Sequence, residues 1–289
     1  MEGRVSDTRD AEAPGQLYVV STPIGNMGDF SFRAVETLRS VALVLAEDTR
    51  HSRHLLDRYE IGTPLQAYHE HNEAKATPAL VSRLLRGEDL ALISDAGTPL
   101  LSDPGARLVK AAIDAGVRVV PVPGASALLA ALVAAGLDAT RFTFFGFPPR
   151  KGREREETLR LVARLPHTSV LYEAPGRVAA TLAELAAYGA AGRDAVVARE
   201  LTKQFEDLRH GTVGDLAQYY AEAPPRGEVV LVVGGAPPAA AADEATVRSR
   251  ARTLRDGGAS ARDAATALME EFGLARNAAY RIVQEEGSE

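Results

Sequence analysis

Short apolar runs alternate along the first half of the chain with longer stretches in which apolar positions recur every three or four residues. The runs are 17 to 21 (LYVVS), 41 to 46 (VALVLA), 89 to 94 (DLALIS) and 117 to 122 (VRVVPV). Between them FSFRAVETLRS, NEAKATPALVSRLLR and PGARLVKAAIDAG carry the helical period. Strand and helix in turn predict a parallel α/β sheet, because parallel neighbours need a crossover connection. After residue 123 an Ala/Leu helix (ASALLAALVAAG) leads to further β-rich runs at 142 to 146, 168 to 172, 194 to 199 and 228 to 233, with APGRVAATLAELAAYG helical among them. The pattern predicts two α/β domains, residues 16 to 122 and 123 to 233. Residues 1 to 15 are polar and read as a flexible tail, and 234 to 245, rich in Gly, Pro and Ala, as a linker. Residues 246 to 289 read as a small domain of three helices, the second opened by a capping-box pattern at Ser260 and Asp263, with a turn at Gly273 giving a helix-turn-helix outline.

Composition narrows the chemistry. The 289 residues include no Cys, which excludes a disulfide scaffold, a thiolate metal site and a Cys nucleophile. The N-terminal residues form no apolar signal region and no run approaches about 18 apolar residues, so a cytoplasmic protein without a membrane span is expected. A net charge of -6 argues against non-specific coating of nucleic acid and leaves any RNA contact to a local patch.

Four Gly- and Pro-rich segments fall where strands end: STPIGNMGD (21 to 29), SDAGTPLLSDPG (94 to 105), VPVPGASA (120 to 127) and YEAPGR (172 to 177). In open α/β sheets such ends are where ligands collect. The first offers only G-x-x-G, which speaks against a dinucleotide site. YHEHNE holds His69, Glu70, His71 and Glu73, but no further ligand follows at a recognisable spacing, so no metal is expected. In PPRKGRERE, Arg150, Lys151, Arg153 and Arg155 cluster on a Gly-containing loop suited to phosphates, while Phe144, Phe145 and Phe147 before it read as a buried strand.

Taken in order, STPIGNMGDFSFRAVETL, AEDTRHSRHLL, YHEHNE, ALISDAGTPLLSDPGARLV, VPVPGASALLAAL, FFGFPPRKGRER, YEAPGRV, ARELTK and GEVVLVV resemble the signatures of the ribosomal RNA small subunit methyltransferase I family, in the tetrapyrrole (corrin/porphyrin) methylase superfamily. The resemblance runs from about Gln16 to Val233 and covers the helical tail more loosely. Two positions depart from the family pattern. Ser21 stands where relatives have Pro, and Pro78 would shift the start of its helix to Thr77 as N-cap.

The resemblance implies an S-adenosylmethionine-dependent enzyme that methylates the ribose 2′-hydroxyl of a cytidine in the decoding region of 16S rRNA in the small ribosomal subunit, working as a homodimer. The cofactor would lie between the two α/β domains, held largely by loop backbone. Asp95, Ala96, Gly97 and Thr98 would line its methionine part, with Ser102 and Asp103 continuing that wall and Pro123, Gly124 and Ala125 nearby. Tyr172, Glu173, Ala174, Leu201, Gly227, Glu228 and Val229 would complete the adenine side. A ribose hydroxyl is a weak nucleophile, so a proton acceptor is expected beside it. Asp48 or Glu200 fills that role in this reading, with Arg50 and Lys203 on phosphates and Arg150, Lys151, Arg153 and Arg155 binding RNA. Two other readings stand beside it: a small-molecule methylase acting on a tetrapyrrole-like acid, and a helix-turn-helix regulator whose α/β part senses a ligand. EDTR, ARELTK, the basic loop and the tail resemble the ribosomal branch, and from Thr246 onward seven Arg face seven acidic residues, a poor balance for a DNA anchor.

Overall fold

The computed structural model describes residues 13 to 237, 244 to 272 and 274 to 286. Residues 1 to 12 of the expected tail, residues 238 to 243 of the expected linker and the turn expected at Gly273 lie outside the described residues.

The first five strands, β1 (Gln16–Val20), β2 (Leu43–Ala46), β3 (Leu65–Ala67), β4 (Leu90–Ile93) and β5 (Arg118–Val122), form one sheet in the order β3-β2-β4-β1-β5, every pair parallel. Its helices are α1 (Phe32–Ser40), α2 (Thr49–Arg58), α3 (Glu73–Leu85) and α4 (Ala106–Asp114). Burial on both faces accounts for strands such as LVLA and LALI that do not alternate. One face packs Val44, Ala91 and Ile93 against Leu38 and Leu56; the other packs Leu45, Leu90 and Leu92 against Leu80 and Leu108.

The second sheet holds β6 (Phe142–Phe144), β7 (Thr168–Glu173), β8 (Asp194–Arg199), β9 (Asp207–Thr212) and β10 (Val229–Val233), in the order β6-β7-β10-β8-β9. Only β6 and β7 run parallel. Around it lie α5 (Ala127–Ala134), α6 (Arg153–Val162), α7 (Val178–Leu185) and α8 (Val213–Glu222). The chain changes sheets directly after β5: Leu128, Ala131 and Leu132 of α5 pack on Val170, Val196 and Val232 of the second sheet. The last helices, α9 (Glu244–Asp256), α10 (Ala261–Phe272) and α11 (Arg276–Glu285), close a core of their own around Val247, Leu268 and Val283. The capping box of α10 is present, the Asp263 amide donating to Ser260 Oγ at 3.1 Å.

Pro78 does not start its helix. α3 begins at Glu73 and Pro78 lies inside it. As the sixth helical residue it leaves the Ala74 carbonyl without its usual i→i−4 donor, a cost that burial of Thr77, Leu80 and Leu84 on the helix offsets. Strands β3 and β9 and helices α2, α6 and α8 have no counterpart in the sequence pattern. β9 reads DLRHGT and α6 REREETLRLV, segments whose polar residues mask a short half-buried strand and a single apolar stripe.

Candidate active site between the two sheets

The carboxyl ends of β1, β4 and β5 stand level, with Val20 opposite both Ile93 and Val122, so the segments that follow all leave the same edge. Two of them are then tied together. The Thr22 amide donates to the Gly97 carbonyl at 2.8 Å and the Gly97 amide to the Thr22 carbonyl at 3.1 Å. Gly97 has φ +81°, and a Cβ there would stand 3.2 Å from Ile24 Cγ2, so this approach favours glycine. At one end of the second sheet Glu173, Val229, Arg199 and Asp207 are likewise aligned across four strands. The two edges face each other across a cavity of about 300 Å³, at the small end of the range for small-molecule sites.

Asp95, Ala96, Gly97, Thr98, Ser102 and Asp103 form one wall of this cavity. Tyr172, Glu173, Ala174, Leu201, Gly227, Glu228 and Val229 belong to the other. Pro123, Gly124 and Ala125 are not in the lining: they stand behind the wall, where the Ala125 carbonyl accepts from Thr98 Oγ1 at 3.3 Å, and Ala127 of α5 reaches the cavity instead. Leu100, Ser102, Glu200 and Thr202 all have positive φ without being glycine. Each such residue stores a little strain that the surrounding packing must hold, and here four of them sit in the loops bordering one cavity.

The electrostatics of the first wall are acidic. Burial, and then the Glu47 carboxylate, push Asp103 up from the ordinary aspartate range to about 6. Glu47 is itself raised by burial and by Asp95. Asp48 lies beside this group but outside the lining. Its side chain caps α2 by accepting the Arg50 amide at 2.8 Å, its amide donates to Asp95 Oδ1 at 3.1 Å, and the hydrogen bonds from Arg50 hold its carboxyl below the usual range. Arg50 pairs with it at 3.2 Å and is otherwise exposed.

Glu200 and Lys203 support the second wall. Glu200 Oε1 accepts the Glu228 amide at 2.9 Å and the Lys203 ammonium at 3.0 Å, contacts that hold it below the usual carboxylate range. Burial alone would lower Lys203, but its pairing with Glu200 and Glu228 raises it. Gly227, at φ +83°, lets the chain pass over this carboxylate; a Cβ there would overlap Glu200. The pair thus braces the turn that carries Gly227 and Glu228 into the cavity.

The expected RNA-binding cluster divides. Arg150 and Lys151 are exposed, and Arg153 is exposed at the start of α6, where it pairs with Glu157. Arg155 corrects the sequence reading: it is 6% exposed and engaged, donating to Glu184 at 2.9 Å, Thr181 Oγ1 at 2.8 Å and the Pro149 carbonyl at 3.2 Å. One helical turn past Gly152 swings it inward, so it offers no charge to a phosphate. The carboxylate of Glu173 is turned the same way, with Arg177 at 2.6 Å and Thr181 at 2.6 Å, and is not free for a ligand. The phenylalanines also differ from expectation. None is buried: Phe144 and Phe145 are partly covered, and Phe147 is 56% exposed and lines the cavity.

Sequence reasoning named Leu201 and Val229 but missed other apolar residues of the lining, Ile24, Leu101, Ala127, Phe147, Ala198 and Val230. An apolar residue near a strand end has the same signature whether it meets protein or ligand, so only its proximity to the Gly and Pro loops could have marked it. His69 and His71 lie in the turn that leads into α3, where the Asn72 amide donates to the His69 carbonyl at 3.0 Å. Among the described residues no group of three or more His, Cys, Asp or Glu is placed to hold a metal ion, and no helix is long and apolar enough to cross a membrane.

Residues 16–217 match the family model described as Tetrapyrrole (Corrin/Porphyrin) Methylases. A "Ribosomal RNA small subunit methyltransferase I" from Synechocystis sp. is 44% identical over 93% of this chain and 97% of its own length. A protein of the same name from Xylella fastidiosa is 52% identical over 77% of this chain and 82% of its own. Among solved structures, a uroporphyrin-III C-methyl transferase from Thermus thermophilus in complex with S-adenyl homocysteine superimposes with a TM-score of 0.56 over 76% of this chain and 97% of its own, at 22% identity, a likeness of fold.

Proposed function

Because the chain belongs to the ribosomal RNA small subunit methyltransferase I family of tetrapyrrole-methylase-type enzymes, we propose that it transfers the methyl group of S-adenosylmethionine to the ribose 2′-hydroxyl of a cytidine in the decoding region of 16S rRNA. The observation that carries this reading is the cavity itself, walled by loop backbone on two sheets and bearing Asp95 and Asp103 on one side. The cavity suits the cofactor chemically. Carboxylates answer a sulfonium cation, Leu101, Ala198 and Val230 answer apolar ring and chain surface, and Gly97 and Gly227 let main chain approach closely.

S-adenosylmethionine supplies a methyl group already activated by its sulfonium, so the chain contributes mainly alignment and a proton acceptor. Asp103 lines the cavity with its carboxyl pushed up to about 6, while Asp48 and Glu200 are held below the usual range, which makes Asp103 the better matched acceptor for the ribose proton than either. Asp48 acts one step back, holding Asp95 through its amide, and Glu200 with Lys203 fixes the turn at Gly227. Arg150 and Lys151, exposed in the loop that follows the cavity-lining Phe147, meet RNA phosphates. The enzyme works as a homodimer in the cytoplasm.

The test is transfer of labelled methyl from S-adenosylmethionine to undermethylated small subunits, to free rRNA and to a precorrin-type tetrapyrrole, followed by nucleoside mass spectrometry. A 2′-O-methylcytidine from the RNA is the expected product. Label on the tetrapyrrole alone sinks the proposal.

A further inference from the structure

A second recess opens beside the cavity and shares two residues with it. It is lined by Phe147, Pro148, Pro149, Arg150, Ala174 and Arg177, of which Phe147 and Ala174 also line the cavity. The sequence FGFPPRK builds it. Gly146, at φ +59°, turns the chain close to the first wall, where a Cβ would stand 2.8 Å from Ser102 Oγ. Phe147 then emerges with its ring tilted against Tyr172 at 5.5 Å. Tyr172 is fixed in turn by the Leu128 amide, which donates to its hydroxyl at 3.2 Å, and by Phe144 at 4.9 Å. The Phe147 ring is therefore propped from one side while more than half of it stays exposed.

The floor is held as firmly. The Pro149 carbonyl accepts Arg155 Nη1 at 3.2 Å and the Pro148 carbonyl accepts Arg177 Nη1 at 3.4 Å. Both guanidinium groups are anchored on Glu173, which is 1% exposed, Arg177 at 2.6 Å and Arg155 at 3.9 Å. With those carbonyls satisfied and no proline N–H to present, the recess offers proline rings and one aromatic face, with the exposed cation Arg150 in its lining. An aromatic platform with a cation at its edge is how proteins hold an unstacked base and its phosphate.

We propose that this recess takes the base of a nucleotide next to the methylated one in the substrate RNA, Phe147 stacking on the base and Arg150 meeting its phosphate. The inference rests on the RNA reading above and adds to it a subsite and a stacking residue. Holding a neighbour in a preformed recess would keep the target nucleotide out of its own stack, with its ribose at the cavity mouth.

The experiment compares wild type with Phe147→Leu, Phe147→Trp and Arg150→Gln. It measures KM and kcat on undermethylated small subunits, and the Kd of S-adenosylmethionine by calorimetry. Phe147→Leu should raise KM about 10-fold and Phe147→Trp should restore it, while the cofactor Kd, on which this cavity-lining ring also bears, should rise by much less than KM. Arg150→Gln should raise KM and weaken its dependence on salt. An unchanged KM in both Phe147→Leu and Arg150→Gln overturns the subsite, as does a rise in cofactor Kd matching the rise in KM, which would give Phe147 to the cofactor. Wild type that transfers no methyl to small-subunit RNA overturns the RNA reading itself and this inference with it. Thermal melts of each variant separate these outcomes from misfolding.

Discussion

Asp103 shows how one side chain can be costly to the fold and useful to the site. Burial and the neighbouring Glu47 favour its neutral form, so its folded-state pKa is raised from 3.8 to about 6. A carboxyl raised in the folded state contributes most stability below its unfolded value, and loses that contribution as pH rises through the folded one. At pH 8 the charge is therefore a burden on the fold, and Asp103→Asn should raise Tm there while leaving it little changed at pH 4. Activity should move the other way. If the carboxylate accepts the ribose proton, kcat/KM of wild type falls as pH drops through about 6, and Asp103→Asn lowers the plateau on the order of 100-fold and removes the inflection. A pH–rate series on the two proteins checks both halves. An intact inflection in the variant would give the titration to another group.

Among the elements, β7 carries the most coupled position. Glu173 ends that strand with its side chain wholly buried, and it joins Arg177 of the next turn, Thr181 of α7 and Arg155 of α6. Removing one member of a buried pair leaves the other charges without compensation, a loss of roughly 3–5 kcal/mol. Glu173→Ala should therefore lower the free energy of unfolding by about that much in a denaturant titration, far more than Arg153→Ala, whose exposed pair with Glu157 is worth at most about 1 kcal/mol. Equal small losses in the two variants would mean that the network carries no such weight. The sequence marked YEAPGR as a ligand loop, and it does line the cavity, but the Glu173 carboxylate and the Arg155 charge are both taken up by inward pairing. Which way a charged residue faces depends on the helix phase after Gly152 and on a carboxylate eighteen residues away.

At the scale of the whole molecule, the two sheets have different architectures, and the site exists because their edges meet. The charge of the described tail is largely internal to it: Arg248 pairs with Glu244, Glu285 and Glu286, and Arg250 with Glu271. A neutral module of this kind adds little to RNA affinity by charge alone. Outside it, Leu129 and Val133 stand 51% and 76% exposed on the outer side of α5, apolar surface that a second copy would cover. A homodimer should give twice the monomer mass in light scattering at micromolar concentration, and a single species of monomer mass would refute it.

The sequence by itself determined the alternation of strand and helix in the first sheet, the three tail helices and the loops that carry Asp95 to Asp103, because period and turn chemistry are local properties of the chain. Through its motifs it also carried the resemblance to the family. Tertiary structure alone decided the antiparallel pairing of β10 with β7 and β8, the inward turn of Arg155 and Glu173, the place of Pro123 to Ala125 behind the wall, and the exposure of Phe147. Each of these depends on which residues distant in sequence come to lie within a few ångströms. Burial, partner and pKa belong to that neighbourhood rather than to the residue.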